Sequence, residues 1–203
     1  KEKGWVVQQP LTGLGIGERL RWYNDQREIP RSGATLTSDG AHRTRLWRVW
    51  AQTLEKAIVF VGLNPSTADA HQDDPTIRRM VNFAMREGCG EIQVINLFTL
   101  RATEPRDLWA APKTERLCGA ELFQEAIAAA CARADTAILC WGAGQAGRKA
   151  HKQALKHAAD VMIEDLRDHG MTLKCFGLTQ DGQPKHPLYL SADTPLLDWE
   201  DEP

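Results

Sequence analysis

Little in this chain points toward a membrane, a metal or a disulfide framework. No apolar run in the 203 residues reaches the roughly 20 needed to cross a bilayer. The first residues, Lys1-Glu2-Lys3-Gly4-Trp5, lack the apolar core of a secretory signal, so a cytoplasmic location is expected. There are only five cysteines, at 89, 118, 131, 140 and 175. None forms a C-x-x-C pair, so neither a zinc nor an iron–sulfur site is expected. An odd count at irregular spacing also excludes a disulfide framework and predicts reduced, mostly buried thiols. Net charge is −2, too small to mark a nucleic-acid partner alone.

What is present is globular. The chain is 42% hydrophobic and 26% charged, enough to bury a core and too apolar for disorder. Its length suits one domain spanning 1–203. Charge is unevenly placed. Asp198, Glu200, Asp201 and Glu202 form an acidic tail, without which the remainder carries +2. Basic residues gather at Arg43, Arg45 and Arg48, at Arg78 and Arg79, and at Arg148, Lys149, Lys152 and Lys156. A basic face and ordinary solvated charge both fit this pattern.

Residues 1–31 read as irregular. Gly13, Gly15 and Gly17 follow no strand, so they make no phosphate loop. Ala34-Thr35-Leu36 and Arg43 to Trp50 flank Ser38-Asp39-Gly40 and predict a hairpin. Residues 57–62 are a continuous apolar run, expected for a strand covered on both faces. Asp73-Asp74-Pro75 then starts a helix, with Asp at the cap and Pro in the first turn. Ile77, Met80, Val81, Ala84 and Met85 recur at helical spacing up to Gly88. Further strands are expected at 92–97, 136–141 and 172–176, with helices at 115–134 and 145–168. The alternation predicts a three-layer α/β/α fold. Its central sheet is mostly parallel and four-stranded, with an N-terminal extension and hairpin over 1–50.

Four segments place a polar group or glycine where an apolar strand stops. They are Val61-Gly62-Leu63-Asn64-Pro65-Ser66, Val94-Ile95-Asn96-Leu97-Phe98, Ile138-Leu139-Cys140-Trp141-Gly142 and Lys185-His186-Pro187-Leu188-Tyr189-Leu190-Ser191. Ligands of open α/β sheets bind at the carboxyl ends of strands, so one cleft could collect Asn64, Asn96 and His186.

In order and position these segments resemble the motifs of the uracil-DNA glycosylase superfamily. Gly62-Leu63-Asn64-Pro65-Ser66 is similar to its water-activating loop. Asn96 resembles the Asn that reads a pyrimidine edge, and Cys140-Trp141-Gly142 an apolar strand end. His186-Pro187-Leu188-Tyr189-Leu190-Ser191 resembles the loop that carries the catalytic His and the residue wedged into DNA. The likeness covers about 57–191. The string from Leu63-Asn64-Pro65-Ser66-Thr67-Ala68-Asp69 through Asp73-Asp74-Pro75-Thr76-Ile77-Arg78-Arg79 also resembles a little-characterised bacterial and phage family, from which no activity follows.

The resemblance implies a monofunctional DNA glycosylase without metal or cofactor. It would act as a monomer on DNA holding a modified base, in repair or antiviral defence. His186 would donate to the departing base. Asn64 would hold the water. Asp69, Asp73 and Asp74 lie downstream; Asp69 is the candidate carboxylate for that water, while Asp73 or Asp74 is read as a helix cap. Gly62, Leu63, Pro65, Ser66, Asn96, Phe98 and Trp141 would line the base pocket, although Asn96 also suits a turn and Trp141 a core. Arg78, Arg79, Arg101, Arg148 and Lys185 would meet phosphates. Leu188, Tyr189 and Leu190 would wedge into the helix or pack as a turn. A related branch has a bulky Tyr where Ser66 stands, so the small residue implies room for a C5-substituted pyrimidine, unless Phe98 or Tyr189 fills it. No lysine in the motifs suggests a Schiff base. Two alternatives stay open: a nucleotide- or base-modifying enzyme on the same fold, and a binding module for modified DNA.

Overall fold

The computed structural model describes residues 32–51, 56–144 and 147–200. The expectations for 1–31 lie outside them.

The apolar run after residue 55 becomes β3 (Lys56–Gly62), the centre of the sheet. Its neighbours are β4 (Cys89–Asn96) and β5 (Thr136–Leu139), both parallel to it, and β6 (Thr172–Cys175) lies parallel beyond β5. The hairpin β1 (Gly33–Leu36) and β2 (Arg43–Val49) forms as expected and joins the sheet, with β2 antiparallel to β4. A short β7 (Leu197–Asp198), which no pattern predicts, closes the other edge antiparallel to β6. The result is a seven-stranded mixed sheet of order β1-β2-β4-β3-β5-β6-β7 around a parallel core.

Four α-helices cover it among the described residues. They are α1 (Pro75–Arg86), α2 (Pro105–Ala110), α3 (Ala120–Cys131) and α4 (Lys149–Asp168). The expected helix over 115–134 is shorter, because Gly119 before it takes a φ of +117°. Alternation along β3 sends Ile58 and Phe60 to α1, and Val59 and Val61 to α2, α3 and α4. Each buried side chain of that size contributes about 1.5–3 kcal/mol. Right-handed crossovers explain the division. The chain leaves β3 for β4 in one direction and then crosses back to β5 in the other, which puts α1 on one face and the later helices on the opposite one. The reversal makes a topological switch point between β3 and β5, where such sheets bind ligands.

Candidate functional site at the switch point

β3 and β4 stay paired past their ends. Leu97 N–H donates to Gly62 O and Phe98 N–H to Leu63 O, both at 2.9 Å. This brings Asn96 over the end of β3. A Cβ on Gly62 would lie 2.7 Å from Asn96 Oδ1, so only glycine fits beneath that amide. Asn96 is 4% exposed, and its Nδ2 is buried with no acceptor among the described residues. A buried unpaired donor costs about 1–3 kcal/mol.

On the other flank, Gly142 takes a φ of +70°, and a Cβ there would lie 3.2 Å from His186 Cβ. Gly142 N–H donates to Pro184 O at 2.8 Å. A tight turn over 178–184, closed by Thr179 N–H to Gln183 O at 2.7 Å, thus delivers His186 to the end of β5. β4 and β5 lie on either side of β3, so their ends are two strand spacings apart, about 10 Å.

Each of three polar side chains here is tied by one half and bare at the other. Asn64 Nδ2 donates to Pro65 O at 3.0 Å and Ala102 O at 2.8 Å, leaving Oδ1 without a donor among the described residues. His186 Nδ1 accepts from Leu188 N–H at 3.4 Å, which puts the proton of the neutral ring on Nε2. Burial holds the His186 pKa below its ordinary value, opposed by the nearby Asp74 carboxylate. Asp74 caps α1, accepting from Ile77 N–H at 2.8 Å through Oδ1, and its Oδ2 has no hydrogen bond among the described residues. None of these bare atoms is sealed from solvent.

Arginines fix both loops that carry these groups. Arg101 donates to Ser66 O and Thr67 O, both at 3.3 Å. Arg43 donates to Ala68 O at 2.8 Å, and Arg48 to Asp69 O at 2.6 Å. Arg48 also pairs with Asp73 at 2.7 Å. Arg43 and Arg48 are buried on β2, and desolvation pushes the Arg43 pKa down to about 10. From α1, Arg79 donates to Leu190 O, and Arg86 to Ala192 O at 2.8 Å and Thr194 O at 2.6 Å.

These contacts reassign several expected residues. Arg79 and Arg101, expected at phosphates, are engaged with backbone carbonyls of their own chain. Arg78 donates to Asp73 O at 2.6 Å from an exposed position; Arg148 and Lys185 are exposed. Asp69 is a turn residue. Its Oδ1 accepts from the N–H groups of His71 at 2.8 Å and Gln72 at 2.9 Å, and those bonds hold its pKa low, the wrong direction for a base. Asp74 is the cap as expected, and Asp73 is the partner of Arg48.

Trp141 is buried and donates through Nε1 to Gln183 Oε1 at 2.8 Å, as a core residue does. Phe98 is buried edge-on against Trp109, with centroids 5.5 Å apart. Leu63 and Pro65 are buried too, while Ser66 is half-buried. Tyr189 is 86% exposed; Leu188 and Leu190 are half-buried. A cavity of about 490 Å³ lies against Trp141, lined also by Lys152, Leu155, Asp181, Gln183 and Trp199. None of Asn64, Asp74, Asn96 or His186 is in its wall. The side chains with unused hydrogen-bonding atoms lie instead around the switch point.

No disulfide joins the five cysteines, and burial raises the pKa of Cys131 to about 11, which makes that thiol a poor nucleophile. Among the described residues no group of His, Cys, Asp and Glu could hold a metal ion, and no helix is long and apolar enough to cross a membrane.

Fold and cleft define an α/β protein with a polar site at the switch point of its parallel core. Residues 43–188 match the model of a family described as a protein of unknown function, DUF1643, and the chain belongs to that family. No curated protein and no solved structure gives a match to the chain.

Proposed function

We propose that the protein is a DNA glycosylase that hydrolyses the N-glycosidic bond of a flipped, C5-modified pyrimidine and leaves an abasic site. The observation that supports this reading is that Asn64, Asn96 and His186 lie at loops around the switch point, each with a hydrogen-bonding atom unused among the described residues. Breakage of the C1′–N bond sends its electron pair to the base and leaves an oxocarbenium-like sugar. The Nε2–H of a neutral His186 suits the departing anion, and preorganised donors of this kind supply about 10²–10³ in rate. Asn64 Oδ1, fixed by the two bonds on its amide nitrogen, suits a water aimed at the sugar carbon. The water oxygen joins C1′, and its proton passes to solvent.

Two further points support a roomy C5 edge. Phe98 is packed on Trp109 and Tyr189 projects into solvent, so neither occupies the space beside Ser66. The exposed Tyr189 next to His186, with ring centroids 6.3 Å apart, suits the role of wedge in a duplex.

The test is alkaline cleavage of duplexes carrying uracil, mismatched thymine, hydroxymethylcytosine or glycosylated cytosine, run with wild type and Asn64→Ala. Cleavage of a C5-substituted base by wild type, and its loss in the variant, is the expected result. Cleavage of plain uracil alone overturns the roomy pocket. Salt-sensitive binding with no abasic product favours a binding module instead.

A further inference from the structure

Residues 142–144 form a turn that touches both loops of the candidate site. Gly142 and Gly144 take φ of +70° and +62°, where a side chain would be strained. On one side Gly142 packs on His186, and its N–H donates to Pro184 O at 2.8 Å. On the other, a Cβ on Gly144 would lie 3.4 Å from Leu63 Cδ1 and 3.3 Å from Leu155 Cδ2 on α4. The turn is thus set between His186 and the residue that precedes Asn64. Glycines carry wide backbone freedom, so the place of such a turn must be fixed from outside it.

Trp109 on α2 does this. Its Nε1–H donates to Gly144 O at 2.7 Å, and both residues are buried. Among the described residues, this bond and that of Gly142 are the two that tie the turn to the rest of the chain. The indole is held on its other sides. Phe98, two residues past Asn96, meets it edge-on. His151 of α4 stacks on it, with centroids 4.9 Å apart and planes within 9° of parallel. The Arg116 guanidinium lies 5.0 Å from its centroid and donates to Trp109 O at 3.0 Å, while Arg116 O accepts from Thr99 N–H at 3.0 Å. The turn is therefore referenced to the segment that follows Asn96. A buried indole N–H needs an acceptor, and movement of Gly144 O would leave it unpaired, which favours the closed turn.

We infer that Trp109 is a positioning residue for the proposed reaction: through Gly144 O it holds the 142–144 turn, and the turn sets His186 relative to the Asn64 loop. This inference rests on the glycosylase reading and extends it to a buried residue that carries no step of the chemistry.

The experiment compares wild type with two variants. Trp109→Phe keeps an aromatic ring and removes the N–H. Leu108→Ala, beside it on α2, loosens the same core and leaves that bond. Amide exchange, NMR titration of the His186 ring, and single-turnover base release with duplex affinity are measured. In Trp109→Phe, Gly142 N–H should exchange about tenfold faster or more, as for the loss of one buried hydrogen bond, while Leu97 N–H holds. The His186 pKa, held low by burial, should rise toward its ordinary value. Release should slow about 10–10²-fold with affinity retained. Leu108→Ala should lower thermal stability without these selective changes. Wild-type exchange and titration in Trp109→Phe, or the same changes in both variants, overturn the inference. Altered exchange and titration with unslowed release confine Trp109 to structure and overturn the positioning role. Should Trp109→Phe not fold, the wild type still decides. One opening of the turn frees both N–H groups, so the Trp109 indole and Gly142 should show equal protection, and unequal protection overturns the link. If wild type releases no base from any strand, the glycosylase reading falls, while exchange and titration still decide whether Trp109 sets His186.

Discussion

The two loops that frame the cleft are held by the same chemistry at different depths. Residues 64–74 are pinned from beneath by Arg43 and Arg48, both buried on β2, and from the side by Arg101. Residues 186–194 are tethered by Arg79 and Arg86 on α1, the latter partly open to solvent, and their tip Tyr189 stands free. Buried charge-assisted hydrogen bonds act at low dielectric and lose much when broken; exposed ones lose little. The difference suits the tasks proposed for the two loops. A loop that orients a water needs fixed geometry, whereas a loop that enters a duplex needs some freedom. Local openings of low free energy are drawn from regions with few buried contacts.

The sharpest way to break this comparison is Arg48→Met. It removes the buried partner of Asp73 and the donor to Asp69 O, so a loss of about 3–5 kcal/mol in denaturant unfolding is expected. A loss under about 1 kcal/mol would show that the first loop does not depend on buried arginine. Next comes His186→Gln, which leaves the loop tethers intact. Its single-turnover rate should fall about 10²–10³-fold with duplex affinity retained. A proportional loss of affinity would instead assign His186 to binding.

Ser66→Tyr tests the space on the first loop. Release of C5-substituted bases should drop about 10–200-fold, the range open to steric discrimination in a pocket, while unsubstituted bases are affected less. Equal effects on both would place Ser66 away from the C5 edge. Arg86→Ala on the second loop should lower stability by only about 1 kcal/mol, yet speed amide exchange selectively over 186–194. Exchange that rises equally over 64–74 would make the two loops one unit.

The smallest effect is with pH. The His186 pKa is lowered by burial, so below the ordinary histidine value the unfolded chain binds a proton that the native ring resists. Stability from this site is therefore present when the ring is neutral and declines as pH falls from about 6.5 toward the lowered value. His186→Gln should flatten the unfolding profile in that window. An identical slope in the variant would remove His186 as its source.

Much of the arrangement is legible in the order of residues alone. The ends of apolar runs mark Asn64, Asn96 and His186, because a polar residue there must face a turn or a ligand. The Asp-Pro pattern locates the start of α1, since capping is a local rule. Local rules cannot locate the partners of the arginines. Arg48 alternates with Leu46 and so shares the face that α1 covers, a signal that it is buried; its contacts at Asp69 and Asp73 depend on β2 pairing with β4. The same limit hides the approach of His186 to Gly142, which arises only because the chain returns after β6 to the end of β5.

Sequence by itself determined the hairpin, the parallel core strands, the Asp74 cap and the polar residues that follow the strands, all consequences of periodicity and neighbours within a few residues. Tertiary structure alone decided which groups are tied and which remain bare, because a hydrogen bond is satisfied by whatever lies within about 3 Å, however distant along the chain. In this protein that decision turned Arg79 and Arg101 from expected phosphate contacts into loop clamps, and left Asn64, Asn96 and His186 with atoms unpaired among the described residues.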